Sequence, residues 1–167
     1  MKAVRGGIQI GGRNLLKNSS VAKSASYYLG SYDLSEPWEI GQTYVMTIYG
    51  NLGNDAGPYF RVWDGRGFAT IITCSKVSDG IYRGFFSPVT MQREYTKQER
   101  SVLKIYTSSN QAVSKSSISK VMFERGNIAT DYTPAPEDIA SGSWGGNWFI
   151  TNYLQFKHRR IGERRCA

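Results

Sequence analysis

The sequence predicts an all-β fold, a β-sandwich with a C-terminal extension. Three observations carry the all-β expectation. Strand formers and turn formers are both plentiful in the 167 residues, with 11 Tyr, 7 Phe, 4 Trp and 18 Gly. Short stretches of alternating apolar and polar character recur at intervals of about 8–16 residues, bounded by Gly, Asn, Asp, Ser and Pro clusters. No convincing amphipathic helical pattern interrupts them.

Taken in order, residues 1–12 are glycine-rich and without strong periodicity, and read as an arm or linker. Residues 13–138 read as the sandwich and 139–167 as the extension. Arg13 to Leu16 is a short apolar piece that pins the start of the sandwich, with Arg13 as a hydrogen-bonding structural residue at its edge. Tyr27–Leu29 and Tyr32–Leu34 read as short strands around a turn at Gly30. Glu36 to Gly41 is a loop, broken by Pro37 and Gly41, that carries Trp38 either as a staple over the core edge or as an exposed anchor. Thr43–Tyr49 is the clearest strand. Its Tyr44, Met46 and Ile48 oppose Val45, Thr47 and Tyr49. After a turn-rich loop from Gly50 to Gly57, Tyr59–Trp63 is a second strand, with Tyr59, Arg61 and Trp63 on one face and Phe60 and Val62 on the other. Asp64 to Gly67 suits a tight hairpin, and Phe68–Cys74 returns from it. Ser78 to Gly80 turns again into Ile81–Phe86. Pro88–Glu99 is a polar loop with room for a short helical turn. Val102, Lys104 and Tyr106 then oppose Leu103 and Ile105 in the strand Ser101–Thr107.

The stretch Ser117–Asp138 closes the domain. Its first half alternates, with Ser119, Val121 and Phe123 on one side and Ile118, Lys120, Met122 and Glu124 on the other. Arg125, Gly126 and Asn127 break the strand, because Gly and Asn tolerate positive φ. Pro134 and Pro136 cannot continue a central strand, since proline lacks the donor N–H.

The closing residues "FERGNIATDYTPAPED" (Phe123 to Asp138), the opening "GGRNLLKNS" (Gly11 to Ser19) and "SYDLSEPWEIGQTYVMTIYG" (Ser31 to Gly50) resemble a β-sandwich domain common in tailed-phage and prophage proteins. In that family a "GRNLL" opening and a "KLEKGNKATDWTPAPED"-like closing bracket a jelly roll similar to carbohydrate-binding modules, found in tail fibres and other virion appendages. The resemblance covers roughly Gly11 to Asp138. Phe123, Arg125 and Tyr132 depart from the family's usual Leu, Lys and Trp while keeping bulk and charge. The resemblance implies a virion location, other phage virion proteins and further copies of the chain (a trimer among the options) as partners, and a bacterial surface glycan as a ligand. It also favours the staple reading of Trp38.

The net charge of +8 is concentrated at the ends: residues 1–17 and 157–167 carry +4 each, and the middle is neutral. The sandwich is therefore no basic platform for specific nucleic-acid binding, and the basic ends read as solvated or as subunit contacts. No stretch approaches the roughly 20 apolar residues of a membrane span. The first residues lack the apolar run of a secretory signal, so synthesis in the host cytoplasm is expected. Cys74 and Cys166 make neither a disulfide framework nor a metal site; Cys74 reads as a small half-buried core residue.

Catalytic chemistry finds little support. The single histidine, His158, lies in a basic terminal run. Asp55 and Asp64 are the carboxylates to try for glycoside hydrolysis, and turn residues is the preferred description of both. Gly65 to Gly67 is too short for a phosphate cradle. No cofactor is expected. A structural Ca²⁺ held by Asn51, Asn54, Asp55 and Asp64 is the lesser alternative to no metal at all.

Sugar binding fits the aromatic supply, since rings stack on saccharide C–H faces while polar neighbours fix hydroxyls. Tyr59, Arg61 and Trp63 offer such a set, joined by Tyr49, Lys104 and Tyr106 if those share the sheet face. The competing description, aromatics filling a core, is countered by Arg61 standing between two of them. In the extension, Trp148, Phe149, Ile150, Tyr153 and Phe156 load both sides of an alternating run with apolar bulk, which points to an assembly contact. The expected function is non-enzymatic attachment in a virion appendage with saccharide binding. The alternatives are a capsid or tail decoration protein without a ligand, and a polysaccharide-acting enzyme.

Overall fold

The computed structural model describes residues 11–67, 69–89 and 94–140. The strands are β1 (Lys23–Ala25), β2 (Tyr28–Asp33), β3 (Tyr44–Asn51), β4 (Tyr59–Trp63), β5 (Thr70–Ser78), β6 (Ile81–Phe86), β7 (Val102–Thr107) and β8 (Ser116–Arg125). A 3₁₀ turn at Glu99–Ser101 precedes β7, and a one-turn helix, α1 (Pro136–Ala140), follows β8. All pairings are antiparallel. β1 pairs with β8, β2 with β7, β3 with β6 and β4 with β5. First meets last and second meets second-to-last, as in a long hairpin rolled upon itself, which is the jelly-roll topology. Pairing of β3 with β8 and of β4 with β7 assembles two four-stranded layers, β1-β8-β3-β6 and β2-β7-β4-β5. The β5–β6 hairpin carries the ladder around the corner between them, so the whole is a nearly closed sheet.

Alternation in the strands builds the core between the layers. Phe60 and Val62 of β4, Leu103 and Ile105 of β7, Tyr44, Met46 and Ile48 of β3, and Val121 and Phe123 of β8 are all fully buried. Tyr44 stacks on Phe123 with ring centroids 4.9 Å apart, and Phe60 meets Tyr82 edge-on at 4.9 Å. Trp38 is buried, edge-on to Phe86 and Tyr95. It staples the rim of the core.

Several expectations need correction, the first two because of irregular pairing. Gly30 is no turn. It sits at φ 127° inside a single strand β2, where the register slips between Tyr28 and Gly30, because a glycine absorbs a bulge without steric cost. In β8, Lys120 pairs with Tyr49 and Ile118 with Gly50, so Ser119 is the extra residue of a bulge. The alternation resets there. Ile118 points into the core at 1% exposure, while Ser119 is exposed and donates its hydroxyl to the Tyr49 carbonyl at 3.1 Å. β3 runs on through Gly50 to Asn51, and Cys74 is fully rather than half buried. β1, three residues long, has no counterpart in the sequence reading.

The opening and closing segments form one unit. Residues 14–19 run between β8 and β2: Leu15 N–H donates to Phe123 O, Val121 N–H to Ser19 O, Lys17 N–H to Asp33 O and Ser35 N–H to Leu15 O. Asn14, fully buried, is the hub. Its amide nitrogen donates to Ser19 Oγ at 3.0 Å, Val121 O at 3.0 Å and Thr133 O at 2.9 Å; its oxygen accepts from the N–H groups of Leu16 and Phe123, both at 3.1 Å. Arg13 pairs with Glu137, and the Asn18 N–H donates to Asp138. α1 is thereby tied to the sandwich across the expected boundary at residue 138.

Candidate functional site

The outward face of the β2-β7-β4-β5 layer brings together most of the residues singled out for saccharide binding. With Phe60 and Val62 turned inward, Tyr59, Arg61 and Trp63 are half-buried on the outer side. With Leu103 and Ile105 turned inward, Lys104 and Tyr106 share that side. The register sets Arg61 opposite Tyr106 and Trp63 opposite Lys104. On the next strand, Tyr28 lies opposite Tyr106 and Ser31 opposite Lys104. On the far side, Thr73 lies opposite Arg61 and Thr70 opposite Trp63.

The rings form a continuous strip across three strands. Trp63 and Tyr106 have centroids 4.6 Å apart at 37°, and Tyr28 and Tyr106 are 4.8 Å apart at 33°. Tyr27 adds a fourth ring 5.1 Å from Tyr106. Burial raises the Tyr106 hydroxyl above the usual tyrosine range, with the neighbouring Tyr28 and Tyr27 contributing, so it remains a neutral donor at physiological pH. Tyr28 is 45% exposed, so the strip is accessible. The tilts make a gently creased platform, suited to an extended ligand rather than an enclosed one. Arg61 borders it, its guanidinium carbon 5.7 Å from the Tyr59 ring centre and one nitrogen 3.5 Å from the Tyr59 hydroxyl.

Tyr49 does not belong to this face. It lies on β3, which pairs with β6 and β8 in the other layer. Its ring meets Tyr132 at 6.1 Å, and the Lys120 ammonium sits 4.7 Å and 4.8 Å from the two ring centres. Alternation told which side of its own strand Tyr49 occupies, not which layer that strand joins. An open depression of about 650 Å³ adjoins Tyr49, lined also by Lys23, Asp79 and Ser117. The aromatic face there is already taken by Lys120.

Tyr27 and Tyr28 are members of the platform that the sequence reading missed. The adjacent tyrosines were the available signal, and the bulge at Gly30 disrupted the alternation that would have placed them. Trp148, Phe149, Ile150, Tyr153 and Phe156 lie outside the described residues.

Asp55 and Asp64 sit beyond opposite ends of β4 and are not brought together. Asp55 accepts from the N–H groups of Val113 and Ser114 and from the Ser114 hydroxyl, which together hold its carboxyl down at about 2. Asp64 is fully buried and receives two bonds from Arg66, one from Tyr95 and the Gly67 N–H. Both close loops. Among the described residues no group of three or more His, Cys, Asp or Glu is placed to hold a metal ion, and no helix is long and apolar enough to cross a membrane. Set against family models, curated proteins and solved structures, the chain matches none of them.

Proposed function

We propose that this chain is a non-enzymatic jelly-roll module of a tailed-phage or prophage virion appendage, which holds a bacterial surface saccharide against the outer face of the β2-β7-β4-β5 layer. The observation that supports the ligand is the strip Trp63–Tyr106–Tyr28, in which Tyr106 meets a ring on either side, on a solvent-facing sheet and bordered by hydroxyl and cationic groups. Rings buried for stability alone would face inward, as Phe60 and Tyr82 do. The negative faces of the exposed rings attract the polarised C–H bonds of a pyranose, and the flanking Ser31, Thr70 and Thr73 can exchange hydrogen bonds with its hydroxyls. The virion assignment, and partnership with other virion proteins or further copies of the chain, rest on the resemblance of the opening and closing segments. In the fold these two segments meet at Asn14.

Titration of the full chain against bacterial surface polysaccharides tests the reading. Trp63→Ala is expected to weaken binding at least about tenfold, the loss of one well-packed aromatic contact, with an unchanged β-rich circular-dichroism spectrum. Because the indole N–H of Trp63 is buried, Tyr28→Ala serves as a second variant at a more exposed ring. A folded protein that binds equally well without both rings holds its saccharide somewhere other than this face, and one that binds no saccharide is instead a ligand-free attachment protein. The exposed Phe85 and Val89 favour a protein contact in that case.

A further inference from the structure

We propose that the saccharide taken by this face is acidic, a pyranose chain bearing carboxylates; this deepens the reading above and rests on it. Four residues at the centre of the face form a square. Arg61 is opposite Tyr106, and Trp63 is opposite Lys104. The aromatic pair occupies one diagonal and is in ring contact at 4.6 Å. The cations occupy the other, with Cα atoms about 7–8 Å apart by the geometry of such diagonals. A sugar ring resting on Trp63 and Tyr106 therefore has a positive charge on either side.

Neither cation has an ion-pair partner among the described residues. Among the described residues, the ion pairs involve other side chains, and Arg61 makes one long bond, to the Tyr59 hydroxyl. In the strands of this layer the only acidic residue is Asp33. It lies opposite Val102, beyond the Ser31–Lys104 pair, and acts on Lys23. Half-buried cations without a counter-charge are partly dehydrated at a cost that an anionic ligand offsets. The two differ in role. The Lys104 ammonium packs beneath the β4–β5 turn, close enough that a side chain at Gly67 would meet it at 3.2 Å, and contributes charge. Arg61 keeps its planar fork of donors free for a carboxylate, which it can engage with two parallel bonds.

The test pairs capsular polysaccharides rich in uronic acid with the same polymers after chemical reduction of their carboxyl groups. Calorimetric titration of the full chain is expected to show the acidic form of at least one polymer binding about tenfold or more tighter than its reduced form, with the difference shrinking as salt rises. Arg61→Gln, checked for fold by circular dichroism, should bring the two forms within about twofold by weakening only the acidic one; Lys104→Gln should act in the same direction. Equal affinity for acidic and reduced forms, or preference for the reduced ones, overturns the acidic assignment and leaves saccharide binding standing. Failure of every polymer in both forms, neutral polysaccharides included, overturns saccharide binding as well.

Discussion

Replacing Asn14 by alanine should be among the most damaging single changes available in this fold. The side chain is wholly buried and joins five partners from residues 16, 19, 121, 123 and 133. Its two amide hydrogens can fully satisfy two acceptors at a time, so about four bonds are lost, at about 1 kcal/mol each. The carbonyls of Val121 and Thr133 and the N–H groups of Leu16 and Phe123 are left without that partner. A loss of about 4 kcal/mol follows, lowering Tm by about 8–16 °C for a chain of this size. Urea unfolding followed by tryptophan fluorescence measures it, with an unchanged m-value confirming that the end states are comparable. Asn14→Asp keeps the acceptor oxygen but aims a carboxylate at two carbonyls, and should be no more stable than the alanine variant at neutral pH. Asn110→Ala, at an exposed residue with one bond to Gln111, is the control and should stay within about 0.5 kcal/mol of the parent. A loss below about 1 kcal/mol in Asn14→Ala would refute the idea that this one amide fastens the two segments.

Two other substitutions probe the loops and the bulge. Asp55 has a folded-state value of about 2 against an ordinary 3.8, so the stability it confers is complete above the ordinary value and is lost as pH falls through the folded one. The parent's urea midpoint should therefore decline more between pH 4 and pH 2 than that of Asp55→Asn, and parallel declines would contradict the loop-closing role. Gly50→Ala places a methyl group against the Ser117 backbone carbonyl beside the β8 bulge, whereas the same change at Gly41 meets nothing within 4 Å but has a φ of 82°. Thermal unfolding should show a cost of about 1–3 kcal/mol for the first, from overpacking against backbone, and about 1–2 kcal/mol for the second, from dihedral strain alone.

What the sequence made legible follows from what period-two alternation encodes. It placed Phe60 and Val62 inward and Arg61 outward because the pairing of β4 is regular from Phe60 to Val62, its one register shift, against β5, falling between Val62 and Trp63. It put Ile118 on the wrong side because a single inserted residue, Ser119, resets the count, and nothing local to the chain marks that insertion. It grouped Tyr49 with Tyr106 because alternation carries no record of which strands become neighbours. Asn14 escaped notice for a different reason. A polar residue in a short apolar piece has no visible purpose until partners more than 100 positions away are brought to it. The aromatic face was half visible: Trp63 and Arg61 were evident on one strand, while Tyr27 and Tyr28 depended on a register that only the folded sheet supplies.

The rolled topology also sets the opening and closing segments apart from the aromatic strip. Gly11 passes against the carbonyl of Arg125 at the end of β8, and the returning segment sets Tyr132 edge-on to Tyr49, so both contacts fall on the first layer. The Trp63 strip looks out from the opposite layer. Among the described residues, Gly11 and Tyr132 are thus seated on one layer and the ring strip on the other, so a substitution at the Tyr49–Tyr132 contact leaves the strip's own ring contacts in place.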